Sequence, residues 1–313
     1  MKALVLAPFA PESLDRLRKH MDVLYESWTQ TERLWDPAEL AIRLADETIE
    51  AVVIEVDFLF DEVFDDPSPL RFIGLCRNAT NQVDMDAAAA RGVVVANTPG
   101  RNANAVAEMT IGLAFALARR IPAAHTYVSS GSWEDPLTLY TELRGVELAG
   151  KTLGVVGLGA IGKKVARLGH ALGMQVVGYD PFATTPKYVA TASLEELLSN
   201  SNVVTLHAPE TSETIGMIGA VQLALMPSTS YLINTASAAL VDESALVAAL
   251  KSKSIAGAAL DVYETHPVVP NNPLLKLDNV VLTPHIGGAT DETVQRYSQM
   301  ITRDLLKFAK ARR

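Results

Sequence analysis

The 313-residue chain is 49% apolar and 20% charged, and its formal net charge is −9. That is the composition of a globular protein of about two domains at ~150 residues each, without the basic footprint that nucleic acid or an anionic membrane surface requires. A single cysteine, Cys76, excludes an intrachain disulfide framework and fits a reducing cytoplasm. Following Phe72-Ile73-Gly74-Leu75, it reads as a small buried hydrophobe rather than a nucleophile. No apolar run approaches the ~20 residues of a membrane span, and the run after Met1 is too short for a signal-peptide core.

In chain order, Leu4–Leu6 reads as a buried strand, Glu12–His20 as a helix and Val23–Tyr25 as a strand. Pro37–Ala45 reads as a helix with Asp36 as its N-cap. Ala51–Val56 and Phe72–Leu75 follow as strands, Asp84–Arg91 as a helix stopped by Gly92, and Val93–Ala96 as a strand. Asn102–Ile121 has the pattern of one long helix with small residues on one face, which predicts close helix packing. Ser129–Gly150 mixes Gly, Trp, Pro and Tyr and reads as irregular chain.

A second α/β series begins at Thr152. Its six predicted strands are Thr152–Val156, Gln175–Tyr179, Val203–Leu206, Tyr231–Asn234, Gly257–Leu260 and Val280–Thr283. Helices are expected between them at Ile161–Leu172, Leu194–Asn200, Val221–Leu225 and Glu243–Lys251. Thr290–Ala311 is a final amphipathic helix with no sheet of its own, expected to pack on the first domain and make it discontinuous. Strands alternating with helices predict parallel, doubly wound sheets.

The strand Thr152–Val156 runs into Gly157-Leu158-Gly159-Ala160-Ile161-Gly162, a helix, and a second strand ending at Asp180. This is the setting in which G-x-G-x-x-G marks a dinucleotide site. Gly157 allows the tight turn, Gly159 the approach of a pyrophosphate, and Gly162 the close packing of helix on strand. Asp180 can accept from ribose hydroxyls and repels a 2′-phosphate, so NAD is expected rather than NADP.

From Arg77 to Thr290 the chain resembles the D-2-hydroxyacid dehydrogenase family. The segments that carry the resemblance are Asn97-Thr98-Pro99-Gly100, Val106-Ala107-Glu108, Leu148-Ala149-Gly150-Lys151-Thr152-Leu153-Gly154, the glycine motif and Leu206-His207-Ala208-Pro209. Further along, Ala258-Ala259-Leu260-Asp261-Val262-Tyr263 and Thr283-Pro284-His285-Ile286-Gly287-Gly288-Ala289-Thr290 extend it. The resemblance implies two doubly wound α/β domains. A Rossmann NAD-binding domain at 101–287 is inserted in a discontinuous flavodoxin-like substrate domain at 1–100 plus 288–313. It also implies a small-molecule substrate and a homodimer. His285 matches the family's catalytic histidine and Asp261 the aspartate that holds the nicotinamide carboxamide. By the same resemblance, His207, Pro209 and Thr110 are expected beside the cofactor, as are Thr235 and Ala236. A histidine suits this chemistry, because its ordinary pKa of ~6.5 lets it donate a proton to a carbonyl oxygen near neutral pH.

Three departures fall at the substrate site. Ser237, in Asn234-Thr235-Ala236-Ser237-Ala238-Ala239, stands where the family has its substrate-binding arginine. His266, in Glu264-Thr265-His266-Pro267, replaces the glutamate that orients the catalytic histidine, and Glu264 is an alternative partner if the loop is shifted. Arg77-Asn78-Ala79-Thr80-Asn81-Gln82 replaces a glycine-rich substrate loop, which makes Arg77, Asn78 and Ala79 candidate substrate contacts. Tyr140 and Trp133 are candidates for shaping the pocket, or for a dimer interface. The expectation is an NAD-dependent oxidoreductase with a non-standard substrate. An NAD(H)-binding sensor with little turnover, or an enzyme that uses hydride transfer only transiently, are the alternatives. No metal site is expected, because His266 and His285 lie on separate loops without a supporting cluster.

Overall fold

The computed structural model describes residues 1–65, 68–131, 133 and 136–312. The chain forms two compact units. The first combines Met1–Arg101 with the chain from Thr290 onward, and the second is Asn102–Ala289.

The first unit is built on β1 (Lys2–Val5), β2 (Asp22–Tyr25), β3 (Ala51–Ile54), β4 (Phe72–Leu75) and β5 (Val94–Asn97). All pairings are parallel, in the order β2-β1-β3-β4-β5. This is the flavodoxin-like doubly wound order. β3 and β4 are buried along their whole length, as strands covered on both faces must be. One face packs Leu40 and Leu44 of the helix Pro37–Asp46 against Leu4, Val52 and Ile73. Asp36 caps that helix as expected, accepting from the amides of Ala38 and Glu39 at 2.9 and 3.3 Å. The opposite face packs Tyr297, Ile301 and Leu305 of the last helix, Asp291–Ala311, against Val5, Val53, Phe72 and Cys76. Cys76 is wholly buried there. Burial first, and the nearby Glu55 second, push its thiol pKa up, with Arg101 acting the other way.

The second unit carries seven parallel strands: β6 (Thr152–Val156), β7 (Gln175–Tyr179), β8 (Val189–Thr191), β9 (Val203–Leu206), β10 (Tyr231–Asn234), β11 (Gly257–Leu260) and β12 (Val280–Leu282). Their order is β12-β11-β10-β9-β6-β7-β8. Counted from β6, this is the Rossmann order with one further strand at the far edge. The order reverses between β6 and β9, and their carboxyl ends are where such sheets hold ligands.

Several sequence expectations need correction. The six strands expected are seven, because β8 is a three-residue edge strand too short to show periodicity. The single helix expected over Asn102–Ile121 is two, Ala103–Ala118 and Ile121–Ser129. The break falls at Arg120, which is left-handed at φ 53°, just before Pro122. Proline has no amide to continue the ladder. The Ala118 carbonyl instead accepts from the Val146 amide at 2.8 Å. The stretch expected to be irregular contains the helix Pro136–Glu142. Close packing of Ala103–Ala118 is observed, with Ala107, Ala114 and Ala118 against Val165 and Ala166 of the helix Gly162–Ala171. Among the described residues, no helix is long and apolar enough to cross a membrane.

Candidate active site

The glycine loop follows β6 directly. Gly157 adopts φ +89°, and its amide donates to the Tyr179 carbonyl at 2.8 Å. A Cβ on Gly157 would stand 2.6 Å from the Ala208 amide nitrogen, so only glycine fits where the loop meets the segment after β9. A Cβ on Gly162 would strike the Gly157 carbonyl oxygen. At Gly159 a Cβ would meet no atom within 4 Å, which leaves that backbone open to a pyrophosphate. Ala160 is exposed and Ile161 half-buried, immediately before the helix Gly162–Ala171. The unpaired amides and positive end of a helix of this length suit an anion. These features fit a dinucleotide.

Asp180 directly follows β7, with its carboxylate already engaged. Oδ2 accepts from the Leu158 amide at 2.7 Å, and Oδ1 accepts from the amides of Phe182 and Ala183 at 2.8 and 2.9 Å. Burial works against its ionisation, but the amides of Phe182, Leu158 and Ala183, and Lys163, outweigh it and lower the pKa. The residue predicted for the ribose therefore also fixes the glycine loop.

Beside this loop, the His207 ring meets the Thr205 hydroxyl at 2.9 Å through Nε2, while Nδ1 is buried without a hydrogen-bond partner. Desolvation brings its pKa down to about 3, so the ring is neutral at working pH. Pro209 is exposed, and its carbonyl accepts from the Thr214 hydroxyl at 2.6 Å. Thr110 and Thr235 are buried with their hydroxyls 3.1 Å apart. Ala236 follows in a loop closed by Asn234, which accepts from the Ala236 amide at 3.0 Å and donates to the Ser237 carbonyl at 2.7 Å.

His285 and His266 come together. Nδ1 of His285 lies 3.1 Å from Nε2 of His266, a hydrogen bond in which one nitrogen donates and the other accepts. His285 sits at φ 56°, a conformation unusual for a side chain other than glycine. Asp261, 2% exposed, holds it there. Its Oδ1 accepts from the Thr283 hydroxyl and the Ile286 amide at 2.6 and 2.9 Å, and its Oδ2 accepts from the Gly287 amide at 2.7 Å. Asp261 thus grips the histidine loop from both sides.

A cavity of about 720 Å³ opens on this pair, with Ser237 in its wall. The Ser237 hydroxyl donates to Oε2 of Glu210 at 2.7 Å. Asp242, Glu243 and Glu264 also line the cavity, and no described lining residue is Lys or Arg. Glu210 is a site residue that sequence reasoning missed. The available signal was its position directly after His207-Ala208-Pro209. Tyr140 and Trp133 do not line the cavity and are 77% and 58% exposed. No group of three or more potential metal ligands occurs among the described residues.

Arg77, Asn78 and Ala79 belong to the first unit, at the carboxyl end of β4. Arg77 is half-buried, and desolvation lowers its pKa against the pull of Glu55, with Arg101 adding to the lowering. Asn78 and Ala79 are exposed, and the Asn78 carbonyl accepts from Asn97 at 2.7 Å. Gln82, grouped with them by sequence, is instead buried and donates to the carbonyls of Glu55 and Asp57 at 3.0 and 3.2 Å.

Residues 111–287 match the family model of the D-isomer specific 2-hydroxyacid dehydrogenase NAD binding domain. D-3-phosphoglycerate dehydrogenase of Archaeoglobus fulgidus is 40% identical over 99% of this chain, which spans 58% of that longer protein. Glyoxylate reductase of Aeropyrum pernix is 37% identical over 96% of this chain and 91% of its own length. The crystal structure of the TT0316 protein from Thermus thermophilus superposes with a TM-score of 0.88 at 37% identity, covering 99% of this chain and 97% of that one.

Proposed function

The chain belongs to the D-isomer-specific 2-hydroxyacid dehydrogenase family and its cofactor is NAD, and on that premise we propose an NAD-dependent oxidoreductase with His285 as its acid/base. The observation that carries this reading is the His285–His266 pair, 3.1 Å apart on one cavity, in the unit that also holds the glycine loop. Bound NAD supplies or accepts the hydride at a CH–OH/C=O carbon. His285 gives a proton from Nε2 to the carbonyl oxygen during reduction and takes it back during oxidation. His266 orients the ring through Nδ1. The Asp261 grip keeps the imidazole in place as its charge changes. The Gly157–Gly162 loop and Asp180 would hold the pyrophosphate and ribose, and Thr110, Thr235, Ala236, His207 and Pro209 are the further residues that would hold the cofactor.

The substrate departs from a simple 2-oxo acid. A carboxylate next to the reacting carbon would meet Ser237 and Glu210 where the resemblance expects a guanidinium. The Ser237 hydroxyl is already donated to Glu210, and the four carboxylates of the cavity repel a further anion. The reading favours a substrate whose neighbouring group is neutral or cationic. Steady-state reduction of glyoxylate, hydroxypyruvate and 3-phosphohydroxypyruvate by NADH tests this: slow turnover is expected, and kcat/KM in the ordinary enzymatic range of about 10⁴–10⁸ M⁻¹s⁻¹ on any of them would refute the substrate assignment.

We also read the protein as a cytoplasmic homodimer. Supporting this are its one buried cysteine and the exposed apolar side chains of Ile121, Val128 and Leu137 (51%, 54% and 77%) on successive helices of the second unit. Sedimentation equilibrium of the purified chain measures it, and a monomer at micromolar concentration would contradict it.

A further inference from the structure

The first unit holds a second large cavity, of about 890 Å³, formed by three separate segments. These are the helix Pro11–Arg18, the turn Pro99–Arg101 after β5, and residues 295–303 of the last helix. Each segment contributes arginine: Arg16, Arg101, Arg296 and Arg303 line the cavity, against one carboxylate, Glu12. Such a concentration of guanidinium groups is unexpected in a chain of net charge −9.

Three of the four have partners within the protein. Arg296 donates through Nη1 to the Arg101 carbonyl at 2.6 Å. The Arg101 guanidinium pairs with Glu55 at 3.5 Å and lies 5.3 Å from the Tyr297 ring centroid. Arg303 is bound to its own neighbour, Asp304, at 2.8 Å, and is 66% exposed. Among the described residues, neither Arg16 nor Arg296 has a carboxylate within ion-pair distance. Each guanidinium offers five N–H donors, and the Arg101 carbonyl takes one of those on Arg296. With Arg101 and Arg303 each beside a carboxylate of their own, Arg16 and Arg296 face only Glu12 among the lining residues, and arginine is the side chain best suited to bind phosphate or carboxylate through paired N–H bonds. The lining holds no aromatic ring on which a base could stack.

We propose that this arginine-lined cavity binds a small polyanion, phosphorylated or polycarboxylate, at a site separate from the NAD loop and the histidine pair. The ligand bridges the Pro99–Arg101 turn to the first and last helices. Arg16 and Arg303 supply the exposed half of the site, and Arg101 and Arg296 the fixed half.

Titration calorimetry on the NAD-saturated protein tests this, with inorganic pyrophosphate and, separately, citrate, each compared with sodium chloride at matched ionic strength. Saturating NAD blocks the glycine loop as a competing phosphate site. Saturable binding is expected, weakened about tenfold or more in the Arg16→Ala/Arg303→Ala double variant, as loss of charge-assisted bonds implies. Tighter pyrophosphate binding identifies the phosphorylated class, and tighter citrate binding the polycarboxylate class. Both arginines are surface side chains, and circular dichroism checks that the variant folds. The single Arg16→Glu variant, which reverses one charge, should weaken binding further than Arg16→Ala. Binding no stronger than the chloride control, or equal in wild type and double variant, overturns the proposal.

Discussion

The Ser237 hydroxyl donates to the Glu210 carboxylate across 2.7 Å, so a neutral donor bound to an anion occupies the wall beside His285. The chemical consequence is a preference by charge, which three methyl ketones of similar size can read: pyruvate, hydroxyacetone and aminoacetone. The wild type should reduce the neutral and cationic ketones with higher kcat/KM than pyruvate. Ser237→Arg should raise kcat/KM for pyruvate by about tenfold or more, since one oriented donor to a developing oxyanion contributes about 2.7–4 kcal/mol. A wild type that prefers pyruvate, or an arginine variant with no gain, would sink the assignment.

His285→Asn removes the proposed proton donor with little disturbance of the backbone, because asparagine tolerates the left-handed conformation that position 285 adopts. The expected loss in kcat is about 10²–10⁴-fold. NADH affinity, read by fluorescence titration, should be nearly unchanged. Equal activity in variant and wild type would remove His285 from the chemistry.

His266→Glu places a carboxylate against Nδ1 of His285. A neighbouring negative charge favours the imidazolium and raises its pKa. Reduction needs the protonated ring, so the falling limb of the kcat/KM profile for reduction should move to higher pH in the variant. Profiles from pH 5 to 9 measure this. An unmoved limb would mean that His266 and His285 are not coupled in the working enzyme.

Asp180→Ala deprives three amides, those of Leu158, Phe182 and Ala183, of their acceptor. The expected result is weaker binding of NADH by about ten- to hundredfold, as losing hydrogen bonds to a charged group implies. No compensating gain is expected in NADPH affinity up to the wild-type level for NADH, because the glycine loop itself loses support. A clean switch to NADPH would show that Asp180 acts on the ribose alone.

His207 is neutral in the folded protein, with its pKa brought down to about 3 by desolvation. The unfolded chain takes up a proton there below about pH 6.5, and the folded chain does not. Stability is therefore unaffected by this group above about pH 6.5 and falls as the pH drops from there towards 3. At pH 5 the loss amounts to about 2 kcal/mol. Urea midpoints at pH 7.5 and 5.0 should show a larger drop for wild type than for His207→Gln. Equal drops would mean that the ring titrates normally.

The sheets were legible because their strands are buried on both faces and read as short apolar runs between turn residues. β6, β7, β9, β10 and β11 fall where the sequence places them. β8 was not legible, since an edge strand of three residues carries no pattern. The break at Arg120 depends on where the Ala118 carbonyl finds its partner, the distant Val146 amide, and local propensity does not contain that. At the site, the individual groups His285, His266 and Ser237 were readable from their motifs. Their partners were less so. Glu210 meets Ser237 only because β9 and β10 are neighbours in register, and Asp261 grips the histidine loop only because β11 and β12 are. Long-range hydrogen bonds of this kind are properties of the packed sheet.

The three donors that converge on Asp261 give the molecule a fixed mount for the His285 imidazole. The mount lies behind the histidine, in the buried seam of β11 and β12, and shares no atom with Ser237, Glu210 or His266. Replacements on the cavity wall can therefore leave the placing of the His285 ring unchanged. In the laboratory, the same separation makes Ser237, Glu210 and His266 the positions to randomise first when seeking a new specificity, with Asp261, Thr283 and Gly287 left untouched.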